Sequence, residues 1–112
     1  MIEVFLPIRV VSVANLREHW SARARRAKLH RVTAKSMLSQ AAVRPELPIT
    51  IALTRIGPGK MDGDNLQSGC KAARDGIADW LGQDDADPRI TWTYAQQQGK
   101  AGEYGLVVRV AA

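Results

Sequence analysis

Ile2, Val4, Leu6, Ile8 and Val10 alternate along the start of the chain, and a period of two predicts a strand with one buried face. The period then lengthens. Leu16, Trp20, Ala24, Ala27, Ala34, Leu38 and Ala41 share a helix azimuth range of about 100°, with only Arg31 breaking the stripe. They predict a long helix over roughly 16–42, and the alanines predict close packing against a sheet. Pro45 and Pro48 punctuate its exit. "PITIALTRI" returns to alternation with Ile49, Ile51 and Leu53 inward, a second strand. After a turn at "GPGK", residues 57–60, a second apolar stripe of Leu66, Cys70, Ala73, Ile77, Trp80 and Leu81 predicts a helix over roughly 64–82, with Gly82 as its stop. Ile90, Trp92 and Tyr94 predict a third strand, "QQQGKAGE" a hairpin connection, and "YGLVVRVA" a closing strand.

The order β-α-β-α-β-β predicts an α+β fold: one small domain over 1–112, with a mixed sheet packed by two helices. A final hairpin would make part of that sheet antiparallel. The 112 residues, 46% of them hydrophobic, fit one compact core. A domain of this size has little stability to spare, which makes dimerisation unsurprising. A single cysteine, Cys70, excludes an intramolecular disulfide and a cysteine-rich zinc site, and suits a reducing cytoplasm. The N-terminus lacks the positive lead-in of a signal peptide, and no run approaches the ~18 apolar residues that cross a bilayer. The expectation is a cytoplasmic protein without a membrane partner.

The net charge of +5 is unevenly spread: residues 17–35 hold seven Arg/Lys against one Glu, while residues 62–87 hold seven of the eleven acids against Lys71 and Arg74. A charged helix face accounts for either block alone. Together they suit a nuclease, in which a basic surface collects a polyanion and an acidic cluster holds a cation.

The acidic block opens with "KMDGDNLQ", residues 60–67, where Asp62 and Asp64 flank Gly63 at a helix start. Acids there complement the helix dipole and satisfy free N–H groups. They also match the hard oxygen ligands of Mg²⁺, which takes one or two carboxylates plus water and substrate phosphate. Asp84, Asp85 and Asp87 follow the helix. Were the two groups at opposite ends of an 18-residue helix, ~27 Å would separate them, a gap that a two-fold dimer or a chain reversal can close. Lys71 shares the azimuth of Asp64, and an ion pair with Asp75 one turn on is its simplest role.

"DGDNLQ" followed by "KAARDGIADWLGQDDAD" resembles the RusA family of Holliday-junction resolvases, found in phages and prophages. The likeness is closest over residues 60–90 and looser over the first strand, "NLREHW" and the closing strands. It implies a homodimeric α+β endonuclease of the cytoplasm of a bacterial or phage-infected cell. Such an enzyme cuts four-way DNA junctions with Mg²⁺ or Mn²⁺ in recombination and repair. By the same resemblance Asp62, Asp64 and Asp85 are the metal-binding acids and Lys71 the catalytic lysine, although here Ser68, Gly69 and Cys70 stand between "DNLQ" and that lysine. Lys60 and Asp84 are the substitutes nearest to hand. Arg17, Arg23, Arg25, Arg26, Lys28 and Arg31 would contact DNA phosphates, with Asn15 and His19 beside them. A junction-binding module without catalysis is the alternative that the displaced lysine raises.

Overall fold

The computed structural model describes residues 1–12 and 17–112, so the expectations for Asn15 and Leu16 lie outside the described residues. Its elements are β1 (Ile2–Leu6), α1 (Trp20–Ala41), β2 (Ile49–Gly57), α2 (Gly63–Leu81), β3 (Ile90–Gln98) and β4 (Gly105–Ala111). The four strands form one mixed sheet in the order β1-β4-β2-β3. β4 is antiparallel to both β1 and β2, and β2 is parallel to β3. The fold is α+β in the expected element order.

The expected β3–β4 hairpin does not form, because β2 lies between those strands. The α2 crossover returns the chain beside β2 in parallel, as such a connection allows, and leaves β2's other edge to β4. The residues suit these places. β4, "GLVVRVA", buries Leu106, Val108 and Val110, whereas β3 exposes Thr91 and Thr93 and takes the edge. β1 also stops earlier than its alternation, at Leu6 before Pro7, while Ile8 and Val10 remain buried beyond it.

Register pairs the core face into rows across the sheet. Ile2, Val110, Ile51 and Trp92 form one; Val4, Val108, Leu53 and Tyr94 the next; Leu6, Leu106, Arg55 and Gln96 the third. The first two rows are apolar over the inner strands, the third carries Arg55 on β2, and all three gain polar tips at the β3 edge. Against this face α2 buries Leu66, Cys70, Ala73, Ile77, Trp80 and Leu81, every residue of its predicted stripe.

The stripe predicted for α1 is wrong in detail. Trp20, Ala24, Ala27 and Ala41 are exposed, Trp20 by 74%, and the buried line is His30, Ala34 and Leu38. Only the second half of α1 is deeply covered, and it packs on α2 at Gly76. A Cβ at Gly76 would collide with the Arg31 carbonyl and touch the Ala34 Cβ. His19 caps α1, its Nδ1 accepting from Ser21 N at 3.2 Å. Among the described residues no helix is long and apolar enough to cross a membrane.

Candidate active site around the second helix

Asp62 is the N-cap of α2, and its Oδ1 accepts from Asn65 N at 3.0 Å. The capping role expected of an acid at this position is therefore filled, with one carboxylate oxygen left over. Asp64 stands in the first turn, exposed, and makes no hydrogen bond or ion pair among the described residues. The segment before them is pinned by Gln96 on β3. Gln96 Oε1 accepts from Met61 N at 2.8 Å and its Nε2 donates to Met61 O at 2.7 Å. Both main-chain groups of Met61 are thus satisfied by one amide, which fixes where α2 begins. Between this segment and β3 lies an open cleft of about 660 Å³, with Lys60, Asp62, Gln67 and Tyr94 in its walls.

Ser68, Gly69 and Cys70 are helical. They neither bulge nor form a longer loop before the helix, so Lys71 stays two turns from Asp64, a rise of roughly 10.5 Å along the axis. It meets a different acid. Gly82, at φ +70° in the left-handed region, ends α2 and turns the chain back. The returning loop brings Asp85 Oδ2 to 2.8 Å from Lys71 Nζ, which also lies 2.8 Å from Asp75 Oδ1. The i,i+4 pair expected of Lys71 is present, and Asp85 is added to it. Its hydrogen bonds to Asp75 and then Asp85 raise the Lys71 ammonium above its ordinary value. The hydrogen bond from Lys71, helped by the charges of Lys71 and Arg74, holds the Asp85 carboxyl below the usual carboxylate value.

Arg74 is the residue the sequence did not announce. Its Nε lies 2.9 Å from Asp85 Oδ2, an ion contact without hydrogen-bond alignment. Its Nη2 donates to the Asp85 carbonyl at 3.1 Å, and its Nη1 to the Tyr94 hydroxyl at 2.9 Å. The guanidinium also sits 4.6 Å from the centre of the Trp92 ring, whose Nε1 donates to the same Asp85 carbonyl at 3.0 Å. Trp92, Tyr94 and Gln96 thus use three successive inward positions of β3 to hold the Asp85 loop, Arg74 and Met61 in turn. The alternation of β3 puts these three on one face, but what each of them holds depends on how α2 lies against the strand. The other loop acids serve the loop itself. Asp84 accepts from Ala86 N, and Asp87 accepts from the backbone and guanidinium of Arg89. Asp87 is lowered to about 2 by those Arg89 hydrogen bonds.

The basic helix borders this site. A groove of about 230 Å³ between α1 and α2 is lined by Arg23, Arg26, His30, Lys71 and Asp75. Arg17, Arg23, Arg25 and Lys28 are exposed and form no ion pair among the described residues. Two of the six expected phosphate contacts are already engaged. Arg26 pairs with Glu18 at 2.6 Å, and Arg31 makes two bonds to Asp79 at 2.7 and 2.9 Å. Arg31 therefore bridges α1 to α2, which explains a cation in the middle of the predicted stripe. Burial, with Arg26 beside it, pushes His30 below the ordinary imidazole value.

Asp62 and Asp64 stand together at the head of α2, and Asp85 stands with Lys71 farther along it. Among the described residues, no three His, Cys, Asp or Glu side chains come close enough to hold a metal ion. The expected ligand set of Asp62, Asp64 and Asp85 is not assembled within this chain, because the carboxylate of Asp85 is turned to Lys71 and Arg74. No protein-family model matches the chain, and no curated protein matches it.

Proposed function

We propose that this chain is a metal-dependent, structure-selective DNA endonuclease that hydrolyses phosphodiesters at four-way junctions, as its resemblance to the RusA family implies. The observation that carries the reading is the return of Asp85 to Lys71 on the face of α2 that begins with Asp64. Two sequence-distant members of the resemblance thereby meet, one on α2 and one on the loop that follows it. Asp62 and Asp64 would hold Mg²⁺ or Mn²⁺. Their donor chemistry fits, since Asp62 keeps one oxygen free of its cap and Asp64 has no partner among the described residues. Two carboxylates suffice for a hard cation that keeps its waters. Bound there, the ion supplies activated water and charge stabilisation at phosphate. Lys71 would stabilise negative charge on the phosphate oxygens, with Asp75 and Asp85 holding its ammonium charged and oriented. Arg17, Arg23, Arg25 and Lys28 would carry the strand into the α1–α2 groove. A homodimer would present two such sites about a two-fold axis and account for paired cuts.

A second reading is a junction-binding module without turnover. It is favoured by the helical insertion that keeps Lys71 two turns from Asp64, and by the two acids that already engage Lys71. A labelled four-way junction, incubated with Mg²⁺ or Mn²⁺ beside an Asp64→Asn protein, separates the two. Cleavage lost in the variant supports the nuclease. Salt-sensitive binding without cleavage in either metal supports the module. Equal cleavage by both proteins overturns the assignment of Asp64.

A further inference from the structure

Arg55 occupies a core row of the sheet between Leu106 and Gln96 and is only 7% exposed. A buried charge is costly unless it is paired, yet among the described residues Arg55 has no carboxylate partner. Its Nη atoms reach only neutral oxygens, Gln96 Oε1 at 3.2 Å, Pro58 O at 3.3 Å and Gly59 O at 3.4 Å. These distances lie at or beyond the long end of the hydrogen-bond range. Among the described residues its Nε is buried with no hydrogen-bond partner, and so is the hydroxyl of Ser12.

Arg55 and Ser12 line one cleft of about 240 Å³, together with Arg9, Val10, Val11, Pro58, Met61 and Tyr104. No acid stands in that wall. Arg9 is exposed, makes no ion pair among the described residues, and lies 4.3 Å over the Tyr104 ring. One cleft therefore holds two arginines, a buried unpartnered hydroxyl and no counter-charge. Met61 stands in the wall of both this cleft and the cleft beside Asp62, and none of the candidate metal-binding aspartates lines this one.

We propose that this cleft is a phosphate-binding pocket. Arg55 would supply its charge from the floor, its Nε and Ser12 Oγ becoming donors where a small shift of the atoms that cover them admits the oxyanion, and the exposed Arg9 guanidinium would close over it from the Tyr104 ring. Arginine suits phosphate because its planar fork can give parallel charge-assisted bonds. The group bound is a phosphate oxyanion, either free or carried on a nucleic-acid strand. The pocket does not depend on metal binding at Asp62 and Asp64.

The test is a titration of the ¹⁵N-labelled protein with sodium phosphate against sodium chloride of equal ionic strength, followed by amide and guanidinium resonances. Saturable shifts centred on Arg9, Ser12 and Arg55 are expected. Arg9→Gln, at an exposed position that leaves the core intact, should weaken the affinity about tenfold, the loss expected of one charge-assisted contact. Ser12→Ala should weaken it less, and Asp64→Asn should leave it unchanged. A 5′-phosphorylated short oligodeoxynucleotide and its unphosphorylated twin identify the source. Shifts from the first alone indicate a terminal phosphate, and shifts from both a strand phosphate. Shifts from neither, with inorganic phosphate still binding, indicate a free anion. Absence of saturable shifts at these residues with phosphate overturns the proposal, as does an affinity that neither Arg9→Gln nor Ser12→Ala alters.

Discussion

Lys71 Nζ and Asp85 Oδ2 lie 2.8 Å apart although fourteen residues separate them in the chain. Lys71 is midway along α2, and Asp85 belongs to the loop that Gly82 turns back along it. The pair brings the acidic loop that follows α2 back to the middle of that helix. Arg74, Trp92 and Tyr94 fix the loop that makes this possible.

The acids of that loop set its response to pH. Asp85 and Asp87 both sit below the ordinary carboxylate value in the folded protein, so each favours folding while it is charged. Their contribution is complete above the ordinary value of 3.8 and disappears as pH falls through the lower folded value, which for Asp87 is about 2. Urea midpoints should drop as pH falls across that range. Asp87→Asn should flatten part of the drop. Parallel curves for the two proteins would remove Asp87 from this account.

Gln96 should govern the order of the segment that leads into Asp62 and Asp64. Gln96→Leu leaves the N–H and carbonyl of Met61 without their partner, and such a loss costs about 1–3 kcal/mol where the groups stay out of water. Amide exchange should quicken at residues 61–65 while the amides of residues 77–81 keep their protection. Uniform quickening along α2 would mean that Gln96 supports the whole helix rather than its start.

Much of this was legible in the chain, and the exceptions have physical causes. The α2 stripe was read correctly because its apolar residues are large and spaced on one face. The α1 stripe was misread because alanine serves equally well in water and in a core, and four of the seven residues chosen were alanines. His30, a polar residue, holds the buried position that the pattern could not assign. The β3–β4 hairpin failed for another reason: sequence adjacency favours pairing, but a parallel crossover through α2 claims the neighbouring edge first. At the site, Asp62 and Asp64 were legible as acids at a helix start and Lys71 as the partner of Asp75, while the expectation that joins Lys71 to Asp85 came from the resemblance. Arg74 and Gln96 were not legible, since their roles depend on a register between α2 and β3 that no local pattern encodes.

Two glycines in α2 should respond in opposite directions. Gly76 lies against the Arg31 carbonyl where α1 crosses, and Gly63 has open space where its Cβ would be. Gly76→Ala forces the helices apart and should cost about 1–3 kcal/mol, the usual price of overpacking. Gly63→Ala should be neutral or stabilising by up to about 1 kcal/mol through helix propensity. Thermal melts of the two variants check the contrast. A Gly76→Ala protein as stable as wild type would mean that α1 can shift on α2 without loss.

Asp62 is where capping and metal binding can be taken apart. Asparagine caps a helix about as well as aspartate does, whereas alanine does not. Without divalent ions, Asp62→Asn should melt close to wild type, and Asp62→Ala should lose about 1 kcal/mol, several degrees for a domain of this size. With millimolar Mg²⁺ or Mn²⁺ the order changes if Asp62 is a ligand. Wild type should gain about 1.4 kcal/mol when the ion stands at roughly tenfold its dissociation constant, and Asp62→Asn should gain much less. Asp64→Asn, which leaves the Asp62 cap in place, should show the same loss of metal response. If metal raises all three proteins equally, or none, Asp62 is a cap and nothing more.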